Sequence, residues 1–209
     1  MELSVTLVSA FTTLLVTLDP PGLAPLFIGL TQGMTSTQRR ELAVRGSLIS
    51  FAILAAFALF GAGILGALGI SMGAFRIAGG LMLFTIAFEM IFEKRHERKE
   101  KTTEDAITKD HIDNMAVFPL AIPLIAGPGA ISATVLLGGQ MDSIFGKISL
   151  IAVIAVSIGI VFIALILSNR LNRFLGVTGR ALLTRLLGVL LAALSVQFVV
   201  DGVKSAFPG

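Results

Sequence analysis

Hydrophobic positions in this chain form long continuous runs, without the alternation of a half-buried strand or the single stripe of a surface helix. Runs without any charged residue cover 46–75, 114–141 and 148–169. Each is longer than the roughly 20 residues that an α-helix needs to cross a bilayer. They predict the second, fourth and fifth of a set of transmembrane helices.

Three further apolar stretches supply the remaining spans. Residues 3–38 carry a single charge, Asp19, and residues 74–92 and 186–200 are apolar stretches bounded by charges. They predict spans one, three and six. The fold class that follows is an all-α membrane protein with six transmembrane helices.

Composition supports this fold class. Of 209 residues, 55% are apolar and 14% are charged, which does not describe a soluble domain. Met1 and Glu2 offer no basic start and the apolar run continues past the length of a signal peptide, so we expect span one to be retained. The chain has no Cys, which excludes disulfides, thiolate metal sites and cysteine nucleophiles.

Basic residues are concentrated in alternate loops. Thirteen of the sixteen Lys and Arg fall on one predicted side of the membrane, whereas Arg76, Lys147 and Lys204 fall on the other. The positive-inside rule therefore predicts that both termini are periplasmic. It places the highly charged segment 93–113 in the cytoplasm, where a solvated linker is the simplest interpretation. Both histidines lie in that segment and are expected to be surface residues, so no metal site is predicted.

The two halves of the chain resemble each other. Pro21-Gly22 recurs as Pro128-Gly129 after 107 residues, and an Arg-x-x-Gly pattern at Arg76 recurs at Arg185 after 109. Because three spans is an odd number, a duplicated half would insert upside down. No counterpart is evident between spans two and five. The predicted organisation is a first three-span repeat over 1–92, a charged linker over 93–113 and a second, inverted repeat over 114–209.

Each Pro-Gly motif should interrupt the first helix of its repeat, because proline has no N–H to donate and glycine weakens a helix. Broken helices at membrane depth are buried in protein or line a cavity. Inverted repeats with such helices are typical of secondary transporters, which bind substrate near the midplane. The two breaks thus indicate a substrate path.

Other classes of function lack their residues. No P-loop is present for ATP-driven transport, and only one carboxylate lies deep enough for an intramembrane aspartyl protease. Neither histidine lies near a serine in the spans, which excludes a membrane serine protease. Nucleic-acid binding would require an exposed basic patch with aromatic partners. We therefore expect a protein that is not an enzyme.

Asp19 is the only acidic residue in the interior of an apolar span, and such a residue suggests an ion or substrate contact. It could couple transport to a proton gradient, or hold Na⁺ or the ammonium group of a substrate. Alternatively, it caps the half-helix that begins at Pro20 and Pro21. The second break has Ala126 at the position taken as equivalent.

The amide groups after each break would suit a carboxylate, since Gly22 and Gly129 begin second half-helices. Close helix packing is the alternative role for these glycines. Hydroxyls near the breaks could add contacts, or could bond to their own helix. The predicted substrate site comprises Thr17, Asp19, Pro21, Gly22, Gly127, Pro128, Gly129 and Ser132, with Asp19 as the ion-coupling residue and with Thr13, Thr134, Arg76 and Gln197 as a second group.

Two members of that second group have a simpler interpretation. Arg76 is expected to reach the membrane interface with its charged end. Gln197 lies inside span six, where its amide is expected to form a hydrogen bond to another helix.

Four motifs make the chain resemble the MarC family, also called UPF0056 or the neutral amino acid transporter family. They are Asp19-Pro20-Pro21-Gly22 with Pro25, Arg76-Ile77-Ala78-Gly79-Gly80, Pro119-Leu120-Ala121-Ile122-Pro123 with Ala126-Gly127-Pro128-Gly129, and Arg185-Leu186-Leu187-Gly188 with Val196-Gln197-Phe198.

The resemblance implies a bacterial inner-membrane protein of six spans, related to the wider LysE group of amino acid exporters. Some members look like transporters of glycine, alanine and other small neutral amino acids. Members often have Asn where this chain has Asp19.

The expected function is secondary transport of small neutral amino acids or similar metabolites, coupled to H⁺ or Na⁺. No cofactor is expected beyond that ion. The expected partners are the small-molecule substrate and membrane lipid, and the sequence leaves homo-oligomerisation open. The alternatives are an uncoupled channel or permease and a membrane protein that does not transport.

Overall fold

The structure is a computed structural model that describes residues 2–31, 34–92, 115–141 and 143–206. This part of the chain is helical and contains no strand. Its helical elements are α1 (Glu2–Leu18), α2 (Pro20–Leu30), α3 (Ser36–Ala67), α4 (Met72–Ile91), α5 (Ala116–Ile125), α6 (Pro128–Gly138), α7 (Ile144–Ile166) and α8 (Ser168–Ala206). The predicted linker 93–113 lies outside the described residues.

Hydroxyl side chains fix where the long helices begin. Thr35 accepts a hydrogen bond from the Gln38 amide, and the Gln38 side chain accepts one from the Thr35 amide, which closes a capping box at the start of α3. Ser71 and Ser143 cap α4 and α7 in the simpler way, each accepting from the amide three residues later.

Five helices of the described part are long and apolar enough to cross a membrane. They are Thr6–Leu30, Ser36–Ala67, Met72–Ile91, Ile144–Ile166 and Ala181–Ala206. The pair formed by α5 and α6 makes a sixth when it is taken as one span, bent by 63°. The prediction of an all-α membrane protein with this number of spans is confirmed.

The two breaks differ in shape. The first lies inside Thr6–Leu30, which passes as one candidate span, whereas the second turns the chain by 63°. The element before the second break, α5, is irregular because Phe118 and Ile122 have extended dihedral angles. Each precedes a proline, and a residue in that position is restricted to extended conformations. Both of these peptide bonds to proline are cis.

Helices pack mainly across the two halves of the chain. In the first half, α3 contacts α5, α6 and α7, and α4 contacts α6 and α8. In the second half, α7 contacts α1 and α2, and α8 contacts α2. The second and third spans of each half therefore pack against the broken span of the other half.

The core between these helices is fully apolar and draws on both halves; its largest completely buried side chains include Leu14, Phe27, Leu54, Leu83, Leu120, Ile125 and Leu136. Large apolar side chains also cover the outside, as at Phe60, Ile148 and Leu186. An apolar exterior is what a protein surrounded by lipid tails presents.

The closest helix contact joins α4 and α8 through two glycines. A β-carbon on Gly80 would lie 2.8 Å from the Ser195 carbonyl oxygen, and one on Gly188 would lie 3.1 Å from the Ala87 carbonyl oxygen. Small residues allow this approach of two backbones in a membrane. The contacts are reciprocal, because Gly188 follows Gly80 by the same 108 residues as Ser195 follows Ala87.

A separation of 108 residues also relates other features of the two halves. Pro128–Gly138 follows Pro20–Leu30 at that distance and has the same length. The capping residue Ser143 follows Thr35 at the same distance, so spans two and five do have a shared feature. The separations of 107 and 109 taken from the sequence are therefore corrected to 108. The inverted sense of the halves stays a prediction.

Candidate functional site

The first break is short and lies inside the protein. Asp19, between α1 and α2, is 3% exposed and has left-handed dihedral angles, φ 55° and ψ 63°. Helical hydrogen bonding continues on both sides of it: its amide donates to the Leu15 carbonyl at 3.1 Å, and the Leu23 amide donates to the Asp19 carbonyl at 3.1 Å. One residue therefore absorbs the whole discontinuity.

The Asp19 carboxylate caps α2. Pro20 and Pro21 have no N–H, so the first amide of α2 belongs to Gly22. That amide donates to Asp19 Oδ1 at 3.2 Å. The sequence predicts that the Gly22 amide is available to a ligand, but an internal carboxylate already occupies it. The capping role proposed for Asp19 is thus present in the structure.

The same arrangement leaves backbone acceptors at this break. Pro20 has no N–H to offer the Val16 carbonyl, and the Gly22 amide donates to Asp19 instead of the Leu18 carbonyl. Carbonyl oxygens and a carboxylate attract positive charge. The first break therefore presents acceptors, with its first amide donor already engaged.

The second break has the opposite character. Gly127 takes the capping position of α6 and has no side chain to cap it, while its carbonyl accepts from the Ile131 amide at 3.0 Å. The next amides, of Gly129 and Ala130, have no acceptor among the described residues. The start of α6 thus combines unsatisfied donors with the positive end of a helix dipole.

This geometry corrects the equivalence drawn from the sequence. Asp19 and Gly127 are the capping residues of α2 and α6, so the counterpart of Asp19 is Gly127 and not Ala126. The sequence comparison aligned Pro21 with Pro128 because both precede a glycine. In the structure, Pro20 and Pro128 are the first residues of the two helices.

Both glycines of the second break also serve packing. A β-carbon on Gly127 would lie 2.6 Å from the Pro123 carbonyl oxygen. One on Gly129 would collide with Ile86 Cδ1 and would lie 3.5 Å from Leu83 Cδ2, both on α4. Close packing and ligand binding are therefore compatible roles for Gly129, since the absence of a side chain permits the first and leaves its amide available for the second.

Hydroxyl groups near the breaks bond mostly to their own helices. Thr17 donates to the Thr13 carbonyl at 2.6 Å, and Thr134 donates to the Ala130 carbonyl at 2.7 Å. The Ser132 hydroxyl lies 3.8 Å from Met82 Sδ on α4. The fully buried Thr13 Oγ1 has no hydrogen-bond partner among the described residues.

The remaining predicted residues lie away from the breaks. Arg76 is half-buried near the start of α4, and its Nε is buried without a partner in the described part of the chain. Gln197 is exposed and donates to Asp201 Oδ1 at 2.8 Å, one turn further along α8. The expected bond from Gln197 to another helix is therefore wrong, because a nearer acceptor lies on its own helix.

The structure brings the two broken spans together. Helix α1 contacts α6, and α2 contacts α5. Pro21 and Gly127 are half-buried and Pro128 is exposed, whereas Thr17, Asp19, Gly129 and Ser132 are buried. In the ranges that the structure describes, no three His, Cys, Asp or Glu side chains group together as a metal site requires.

Sequence reasoning missed Ala130 and Ile86. Ala130 carries the second free amide of α6, and Ile86 covers the first turn of that helix. The number of prolines was the available signal for the amide. Two prolines and a capping Asp leave α2 without a free donor, while a single proline after Gly127 leaves donors in α6.

Comparisons with known proteins agree with these features. The model of the family described as "MarC family integral membrane protein" matches residues 4–207. A UPF0056 membrane protein of Aquifex aeolicus (strain VF5) is 37% identical over 98% of this chain and 95% of its own length.

Two other relatives are the UPF0056 membrane proteins YhcE of Escherichia coli (strain K12) and YvbG of Bacillus subtilis (strain 168). They are 39% and 34% identical, covering 95% and 97% of this chain and 92% and 96% of their own lengths. No solved structure matches the chain. The predicted resemblance is confirmed, and the chain belongs to the MarC family of integral membrane proteins.

Proposed function

We propose that this protein is a secondary transporter of the bacterial inner membrane for small neutral amino acids or similar metabolites, coupled to H⁺ or Na⁺. The observation that carries the proposal is the opposite polarity of two helix breaks in spans that pack together. One break presents acceptors around Asp19, and the other presents amide donors at Gly129 and Ala130.

A neutral amino acid matches this arrangement because it is a zwitterion. Its carboxylate would accept from the Gly129 and Ala130 amides at the positive end of α6. Its ammonium group would lie near the Asp19 carboxylate and the Leu18 carbonyl. The apolar surroundings favour a small, uncharged substrate side chain, because a further charge would have no partner there.

Duplication in opposite senses is part of the proposal. It is supported by the 108-residue separation of the capping residues Asp19 and Gly127 and of the reciprocal glycines Gly80 and Gly188. The positive-inside rule supports periplasmic termini and a cytoplasmic segment 93–113. Inverted repeats with discontinuous helices are an arrangement that secondary transporters use.

Coupling is assigned to Asp19, the ionisable group at the first break. It could bind H⁺, or bind Na⁺ together with nearby carbonyl oxygens, and either event would change the charge that faces the substrate ammonium. The hydrogen bond from Gly22 is compatible with both, since the carboxylate has a second oxygen.

The direct test is flux in proteoliposomes. Purified protein is reconstituted, a pH or Na⁺ gradient is imposed, and uptake and counterflow of labelled alanine and glycine are measured. We expect gradient-dependent accumulation that unlabelled substrate inhibits. Absence of gradient-dependent flux across a broad panel of amino acids and metabolites would contradict the proposal.

Asp19→Asn separates the coupled carrier from its alternatives. If Asp19 carries the coupling ion, this variant loses accumulation and keeps exchange. An uncoupled channel or permease would equilibrate substrate in both forms without accumulation, and a protein that does not transport would show no flux in either form. Thr85→Ala is the matched control, because Thr85 is exposed and donates only to the Leu81 carbonyl of its own helix.

A further inference from the structure

Helix α8 consists of two parts. Gly176 interrupts it with φ 62° and ψ −174°, and the part long enough to cross a membrane begins at Ala181. The preceding span, α7, ends at Ile166. The eight helical residues 168–175 therefore lie between the end of one span and the start of the next, which places them at a membrane surface.

One face of this segment carries two cations and an aromatic ring. Arg170, Arg173 and Phe174 are all exposed, and their spacing of three and four residues puts them on one side of a helix. Phe174 is 87% exposed, the largest value among the exposed apolar side chains of the described chain. Leu171 and Leu175 are half-buried and lie toward the opposite side.

The two cations lack a counter-charge. Neither Arg170 nor Arg173 forms an ion pair within the described residues. The only acidic residue in α8 is Asp201, near the far end of the helix. A face with free guanidinium groups beside a fully exposed Phe is unsuited to water alone, because the ring would remain hydrated.

We propose that residues 168–176, here called the surface segment, lie on the bilayer and bind anionic phospholipid headgroups. The guanidinium groups of Arg170 and Arg173 donate hydrogen bonds to lipid phosphates. Phe174 inserts its ring at the boundary of headgroups and acyl chains, as in interfacial amphipathic helices. The left-handed Gly176 then allows the chain to turn from the membrane plane into span six. This proposal does not depend on transport.

The chain contains no Trp and no Tyr, so Phe174→Trp creates a single fluorophore in an otherwise dark protein. The variant is reconstituted in vesicles of phosphatidylcholine, with or without phosphatidylglycerol, and with bromine on the acyl chains as a contact quencher. We expect blue-shifted emission and quenching strongest for bromine near the headgroup. Quenching should increase with the phosphatidylglycerol fraction, and Arg170→Gln with Arg173→Gln should abolish that increase.

Phe60→Trp is the matched control, because Phe60 is an exposed Phe inside span two and should be quenched equally in both lipids. If Phe174→Trp does not fold, Val177→Trp replaces it, since Val177 is 76% exposed just beyond Gly176. Emission typical of water, quenching that ignores phosphatidylglycerol, or quenching lost as protein density rises would each overturn the proposal. The last result would indicate a second protein copy on this face.

Discussion

The carboxylate of Asp19 fills the space beside Gly22 that any side chain at that position would need. A β-carbon there would lie 2.7 Å from Asp19 Cγ and 3.0 Å from Oδ1. The pair therefore acts as a unit, in which the acid caps the helix and the glycine makes room for the acid.

Gly22→Ala should destabilise the protein by ~1–3 kcal/mol, as overpacked sites do. In the Asp19→Gly background the same change should cost much less, because the obstructing carboxylate is gone and glycine accepts the left-handed angles of residue 19. Thermal unfolding followed by helical circular dichroism measures all four proteins of this cycle. Equal costs of Gly22→Ala in both backgrounds would show that the two residues are not coupled.

Asp19→Asn and Asp19→Ala should differ in stability. Asn keeps an oxygen that accepts from the Gly22 amide and tolerates left-handed angles. Ala loses the acceptor, which costs ~1 kcal/mol at a helix start, and also meets the steric penalty of positive φ. The midpoint of thermal unfolding should therefore fall for Ala and change little for Asn. A similar fall in both variants would indicate that the charge, rather than the cap, stabilises the break.

Gly129→Ala should impair both folding and transport, because the new methyl group meets Ile86 Cδ1. Ile86→Val removes that carbon atom and leaves the rest of the side chain in place. The double variant should therefore recover stability and, since the amide donors of α6 are unchanged, also recover alanine flux. Recovered stability without flux would show that the surface of Gly129, beyond its amide, contacts the substrate.

Gly80→Ala and Gly188→Ala should each destabilise the protein, by ~1–3 kcal/mol, since each methyl group faces the backbone of the opposite helix. Gly63→Ala and Gly159→Ala are matched controls, because a β-carbon at either position meets nothing within 4 Å. Alanine favours a helix over glycine by up to ~1 kcal/mol, so the controls should be neutral or stabilising. Thermal unfolding measures all four variants, and four equal responses would argue against a close contact between α4 and α8.

The number and position of the spans could be predicted because lipid exposure requires long uncharged runs, and this chain interrupts them only at loops. The breaks were predictable for a comparable reason: Pro20, Pro21 and Pro128 remove donors wherever they stand. Local chemistry alone determines both features. The same logic locates the caps at Thr35 and Ser143.

The hydrogen-bond partners at the site could not be predicted in the same way. Whether the Gly22 amide faces a ligand or Asp19 depends on the left-handed turn at residue 19. The Gln197 amide had acceptors in its own helix and in its neighbours, and the sequence does not rank them. Ile86 reaches Gly129 only because α4 crosses α6, which is a tertiary relationship.

The glycine contacts between α4 and α8 limit how this protein could change shape. Where Gly80 and Gly188 bring backbone against backbone, no side chain is available to rotate and allow sliding. These two helices should therefore move as one rigid body. Any opening of a path to alternate sides of the membrane must then occur where that body meets the broken spans, at the contacts of α4 with α6 and of α8 with α2.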